Sequence, residues 1–399
     1  MKTYLALIFS VMFVFSGISI AQLSSYGIDG YIKDMVSTTK IPFSSDRWYD
    51  NLIHARLNTH WYPSNDLTGE FDLRMRAYYG GTVENIPDFL DQIRSHHQFT
   101  QLDAVLWNEK KSVGYLEADR LYLTWYQGRF DMTVGRQRIA WGTSWVWNPT
   151  DLFNPQSPLD FDYEELPGTD AVRMQYYTGP VTKVEAAIRP AKTFDKVIAA
   201  GLISLNKWDY DFNIIGGIKE NRWVVGGGWS GAILDAGFRG EFTVTQKPEP
   251  ISKYKILQIF VPSYKPLSTF KDPVFSFVLS GDYTFPNSFY IHTEVLYYNI
   301  GRINNAGLYQ QESLDLGMLS PSRWSIYQEF SYDITPLMRG SLFAIYNPDD
   351  HSNVIVPSVS YSVITNLDLY LIGLIFNGDN FTQYGDYGTS FYARIKYSF

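Results

Sequence analysis

Leu67-Thr68-Gly69-Glu70-Phe71-Asp72-Leu73-Arg74-Met75-Arg76-Ala77-Tyr78-Tyr79 decides the fold. Phe71, Leu73, Met75, Ala77 and Tyr79 share one parity, and Glu70, Asp72, Arg74 and Arg76 share the other. Period 2 is the period of a β-strand, so the two sets point to opposite faces. A soluble sandwich turns its apolar face inward onto a second layer. Here charged faces recur on segment after segment, and no helical pattern supplies a covering layer. The arrangement expected is apolar outside and charged inside: a transmembrane β-barrel with a wet lumen.

Composition agrees. The chain has 399 residues, of which 45% are hydrophobic and 17% aromatic, yet mean hydropathy is −0.17. That combination excludes a helical membrane protein and suits a barrel with aromatic girdles. Zero cysteines exclude a disulfide scaffold, an iron–sulfur site and a thiol nucleophile. A net charge of −8 argues against nucleic-acid binding. Residues 1–21 read as a cleaved signal peptide: Lys2, the apolar run Tyr4 to Ile20, then small residues at Ser19 and Ala21. Residues 22–399 then form the barrel domain. Residues 22–27 precede the first strand and are too few for a plug domain.

About 18 strands (16–18) are expected. They fall near 28–37, 47–61, 67–80, 113–126, 129–140, 168–177, 180–190, 195–206, 209–220, 222–230, 231–246, 272–285, 287–300, 322–333, 335–347, 352–364, 366–377 and 388–399. Connection length alternates. Short turns, such as Gln127-Gly128 and Thr365-Asn366, interleave with a set holding every long connection: 81–112, 141–167, 247–271, 301–321 and 378–387. Short periplasmic turns and long extracellular loops give this parity, with both termini periplasmic. The last strand ends on Phe391, Ala393, Ile395, Tyr397 and Phe399. Ile395, Tyr397 and Phe399 form the kind of C-terminal signal that barrel assembly machinery reads.

Hairpin pairing assigns the lumen. Placing Leu57 opposite Phe71 sets Arg56 on Asp72, Asn58 on Glu70 and His54 near Arg74. In 168–190, Arg173 falls opposite Glu185. Opposed charges stabilise a sheet by about 0.2–1 kcal/mol, whereas Arg or Lys on the lipid face costs about 2–4 kcal/mol at midplane. These charges, with Arg76, are therefore expected to line the pore. In 113–140 a turn at Gln127-Gly128 pairs Asp119 with Arg136 and Glu117 with Arg138, on the parity of Leu121 and Trp125. A bulge near Gly135 and Arg120 is expected to turn both pairs inward.

The loop 141–167 holds Asp151, Asp160, Asp162, Glu164 and Glu165 with no Lys or Arg, beside Trp141, Trp145, Trp147, Phe153 and Phe161. Folded inward, it opposes carboxylates to the basic wall and constricts the pore. The plain alternatives are a solvated outer loop, or a calcium site at 160–165.

The run Val134-Gly135-Arg136-Gln137-Arg138-Ile139-Ala140-Trp141-Gly142, with Asn148-Pro149-Thr150-Asp151 and Pro167-Gly168, resembles a porin-like group of bacterial outer-membrane proteins of unknown function whose members carry GRQ…WG…NPxD. Through the strand ending in GRQR and the one before it, the chain is also similar to alginate-export porins. The resemblance covers about residues 113–190 and implies an outer-membrane channel or exporter of small hydrophilic or anionic solutes.

No hydrolase elbow, P-loop or dinucleotide fingerprint occurs, and His96-His97 lack metalloprotease spacing. The expected protein is not an enzyme and carries no cofactor. It is a porin-like channel in the outer membrane of a Gram-negative bacterium, in contact with outer-membrane lipid, passing small hydrophilic solutes by diffusion. The alternatives are an exporter of anionic polysaccharide, a lipid-handling barrel, or a structural or adhesion barrel closed by its own loops.

Overall fold

The computed structural model describes residues 26–42, 44–94, 98–154, 159 and 167–399. Residues 1–21, expected to be a signal peptide, lie outside them, as do Asp160, Asp162, Glu164, Glu165 and His96-His97. Among the described residues, nineteen strands form one antiparallel sheet. They are β1 (Tyr26–Lys40), β2 (Arg47–Ser64), β3 (Leu67–Gly80), β4 (Asp103–Glu109), β5 (Ser112–Gln127), β6 (Phe130–Gln137), β7 (Thr169–Tyr177), β8 (Lys183–Arg189), β9 (Ile198–Lys207), β10 (Tyr210–Lys219), β11 (Arg222–Ile233), β12 (Ala236–Thr245), β13 (Val274–Thr284), β14 (Phe289–Tyr298), β15 (Trp324–Thr335), β16 (Met338–Tyr346), β17 (Asn353–Ile364), β18 (Leu367–Asn377) and β19 (Ser390–Ser398). β4 pairs with the first half of β5 and β6 with the second half, so the two share one place in the ring. β1 pairs with β19, which closes an 18-place barrel.

Loop length keeps its parity. One end carries turns such as 65–66, 128–129, 208–209 and 365–366. The other carries 81–111, 138–168, 246–273, 299–323 and 378–389. Short helices sit in these long connections, at Gly81–Asn85, Phe89–Ile93, Ser252–Phe260 and Gln310–Asp315. They and β4 carry no strong sequence period of their own. Outward rows end in rings at both rims: Trp61, Trp125 and Tyr332 at the short-turn end, Tyr49 and Trp324 at the other. Inside the long-loop end, inward Val278, Leu296, Ile345 and Val354 pack with loop residues Tyr264, Leu267 and Met318.

Several pairings differ from expectation by two residues. Leu57 faces Leu73, Arg56 faces Arg74, Asn58 faces Asp72 and His54 faces Arg76, because the turn tightens to 65–66 with a bulge between Trp61 and Ser64. Gln127 faces Phe130, so the turn is Gly128-Arg129. Gln175 rather than Arg173 faces Glu185, across a turn at 178–182. The expected break at 230/231 lies inside β11, and the turn falls at Leu234-Asp235, where Leu234 has φ +56°. A shift of two keeps every side chain on its face; a shift of one would have inverted them.

Candidate functional site

The wall from β19 to β7 carries dense inward charge. Arg56 donates to Asp119 Oδ2 (2.7 Å) and Asp72 Oδ2 (2.8 Å), and Arg120 also donates to Asp119 (2.9 Å). Asp72 is thus a diagonal partner of Arg56, reached although Asn58 sits directly opposite it. Arg74 donates to Glu117 (2.8 Å), with Arg76 behind it at 4.0 Å. Tyr122 donates to Glu70 (2.6 Å). His54 is buried edge-on to Tyr31, and Lys33 and Lys396 both approach that ring, at 5.3 and 4.7 Å. Such buried pairs hold only because each charge has a close partner.

The sheet is adjusted where Arg136 enters this wall. Asp72 pairs with Arg120 and Leu73 with Ala118, which leaves Asp119 as the extra residue of a bulge. Gly135 has φ +123°, and a Cβ there would sit 2.2 Å from Leu121 O. Leu121 is 44% exposed, yet Arg136 on the facing rung is 3% exposed. The glycine turns the backbone, and Arg136 points inward to Asp170 Oδ1 (2.8 Å) and Ala118 O (3.0 Å). The expected partners differ: Asp119 pairs with Arg56 and Arg120, and Glu117 with Arg74. Arg138 stands past the end of β6, exposed, and does not meet Glu117.

From β6 the chain crosses the barrel interior. The indole of Trp141 donates to Glu185 on β8 (2.6 Å), which also holds Arg173 through two bonds (2.6 and 2.9 Å). Glu241 on β12 accepts from the backbone N–H groups of Thr143 (2.5 Å), Ser144 (2.7 Å) and Thr150 (3.1 Å), and from the Thr150 hydroxyl (2.5 Å). Glu294 on β14 accepts from the N–H groups of Trp145, Val146 and Trp147 (3.2, 3.3 and 2.7 Å). Trp147 then meets Tyr327 edge-on at 6.5 Å. Tyr327 is on β15, so residues 141–147 run inside the barrel from β8 past β12 and β14 to β15. Asn148-Pro149-Thr150-Asp151 turns the chain back. Asp151 Oδ1 accepts from the N–H groups of Trp141 (2.5 Å) and Gly142 (2.6 Å), clasping the two ends of the turn. Burial pushes Asp151 up to about 6, against the two N–H bonds that pull it down.

Glu241 and Glu294 are the hooks of this crossing, and the sequence reading passed over them. Their signal was available: each is an inward carboxylate that no cation in the neighbouring strand pairs. Asp151 was expected to face the pore field. It faces the loop's own backbone, so reversing its charge would unseat the loop before altering any field.

No family model and no curated protein matches the chain. Solved structures do. OccAB4 of Acinetobacter baumannii superposes with TM-score 0.59 at 9% identity, covering 95% of this chain and 99% of that one. OccAB2 of the same organism gives 0.55 at 8% identity, covering 94% and 98%. OccAB3 gives 0.54 at 11%, covering 94% and 100%. At these identities the likeness shows the fold alone: a closed antiparallel β-barrel with 18 places in its ring.

Proposed function

We propose that the chain is an outer-membrane, porin-like channel for small hydrophilic or charged solutes, with both termini periplasmic. The carrying observation is the crossing loop. A polypeptide that leaves β6 and is tied to Glu241 on β12 and Glu294 on β14 lies inside the barrel, where it would narrow the lumen. Selectivity in such a passage comes from radius and facing charge, with no cofactor or energy coupling. His54, Arg56, Glu70, Asp72, Arg74, Arg76, Glu117, Asp119, Arg136, Arg173 and Glu185 are the proposed lining, and the loop bearing Asp151 is the proposed constriction. Ile395, Tyr397 and Phe399 are proposed as the assembly signal. A Cβ on Gly30 would lie 2.8 Å from the Phe399 ring, so that glycine gives the terminal aromatic its seat.

One observation favours a closed structural barrel instead. Tyr264 stacks on Tyr309 at 4.5 Å, and Glu312 takes bonds from Tyr264 (2.6 Å) and Ser268 (2.7 Å), so the long loops knit into a cover. Planar-bilayer recording of the purified protein separates the two. Stable stepwise conductance in symmetric KCl is expected. Silence from correctly folded, inserted protein would sink the channel and leave the closed barrel.

A further inference from the structure

Lys219 and Arg222 are direct cross-strand partners on β10 and β11, at the long-loop end of the barrel. Their neighbours of the other parity, Ile218 and Trp223, are exposed on the outward face, so both cations point inward. Like charges directly opposite each other destabilise a sheet, so this pair needs a counter-charge. The turn between them carries a carboxylate, Glu220. That group accepts from Arg189 (3.2 Å) and pairs with Lys196 (3.5 Å) instead. Neither Lys219 nor Arg222 makes an ion pair among the described residues.

The two side chains converge. Arg222 donates to Leu316 O (3.1 Å), just past the helix Gln310–Asp315. Lys219 Nζ lies against the next residue, where a Cβ on Gly317 would be 3.3 Å away. Between these cations and the turn of the crossing loop is a cavity of about 40 Å³. Asn148 and Thr245 bring an amide and a hydroxyl to its lining, and Asp151 is the one carboxylate there among the described residues. Asp151 Oδ1 is already committed to the N–H groups of Trp141 and Gly142. Two cations thus share the cavity with a single carboxylate. One water needs about 10–15 Å³ of such space. The cavity therefore takes one compact ion with a water or two and excludes an organic acid.

We propose that Lys219 and Arg222 bind a small monovalent inorganic anion, of the size of chloride, in this cavity. The anion offsets the surplus positive charge. It also ties three parts of the molecule together: the β10–β11 wall, the turn Asn148-Pro149-Thr150-Asp151 and the segment 316–319 of a long loop. The site is separate from the charged wall of β19 to β7, and a silent bilayer recording would leave it standing.

The test melts the purified protein, folded in detergent, in sodium chloride and in sodium gluconate of equal ionic strength, with folding read by heat-modifiability. Gluconate is too large for the cavity. The midpoint is expected about 2–4 °C higher in chloride, and bromide should replace chloride. Lys219→Met should erase the difference between the salts, whereas Lys207→Met, at the short-turn end, should keep it. If Lys219→Met does not fold, Arg222→Gln carries the same expectation. Anomalous scattering from bromide-soaked crystals should place one ion beside Lys219 Nζ. Equal wild-type midpoints in the two salts would overturn the site and leave water as the occupant. A Lys219→Met chain that melts earlier but keeps the full difference between salts would overturn it too, because that lysine would only pack against the loop.

Discussion

Two single residues show how local chemistry sets this lumen. Gly135 is the hinge that turns Arg136 from the outer face to Asp170. Gly135→Ala places a side chain in a backbone region that costs about 1–3 kcal/mol, against a carbonyl with no room to give. Loss of thermal stability of that order is expected, read by heat-modifiability on gels; an unchanged transition would mean the hinge is not strained. Asp151 concerns pH. Its native value, about 6, is raised above its unfolded one, so the protonated form suits the folded loop. Its contribution is fully present below about pH 4 and is lost as pH rises through about 6. Asp151→Asn keeps an oxygen acceptor and removes the charge. The variant should unfold no earlier than wild type at pH 7.5, and the stabilisation wild type gains between pH 7 and pH 4 should shrink. A variant that melts earlier at pH 7.5 would show that the carboxylate form is the one the clasp needs.

At the scale of elements, the crossing loop is a span of backbone held by two carboxylates. Hydrogen bonds to a charged acceptor contribute about 1.5–3 kcal/mol each, and Glu294 receives three from consecutive N–H groups. Glu294→Ala frees the far end of the span. Single-channel conductance should rise and become noisier, while Glu294→Gln, which keeps an acceptor, should fall between; equal conductance in all three would place the constriction elsewhere. Strand elements were legible from alternation, because one face meets an apolar medium and the other water. Their registers were not, since a turn moved by one residue shifts pairing by two without disturbing any face. The strand β4 was missed because it lies in a long connection and its sequence, Asp103 to Glu109, does not alternate.

On the scale of the whole molecule, charge is distributed unevenly. The chain is acidic overall, yet Lys33, Lys396, Arg394, Arg56, Arg74 and Arg76 all lie on the inward side of β19 through β3. Focusing by a low-dielectric wall makes such a strip felt across the pore. Replacing Lys33 and Lys396 together by Ala should shift the reversal potential in a KCl gradient toward cation preference. An unmoved potential would mean that ions pass on the other side of the crossing loop. The knitted cover of Tyr264, Tyr309 and Glu312 packs against β13 to β18, and on the cationic side Ile93 O accepts from Arg76 and Thr100 O from Arg136.

The sequence by itself determined the class of this protein. Period-2 alternation with charge on one face, the parity of loop lengths and the aromatic C-terminal strand point to a barrel, because a sheet that is apolar on one face and charged on the other closes on itself when no second layer covers it. In the hairpin 47–80 it also set the face that Arg56, Asp72 and Arg74 share. Tertiary structure alone decided who meets whom. Arg136 finds Asp170, Arg56 bridges Asp72 and Asp119, and Glu241 and Glu294 catch a loop that starts far away in the chain. Those partnerships depend on bulges, turn lengths and ring closure, which bring together residues nearly 150 positions apart that no local pattern connects.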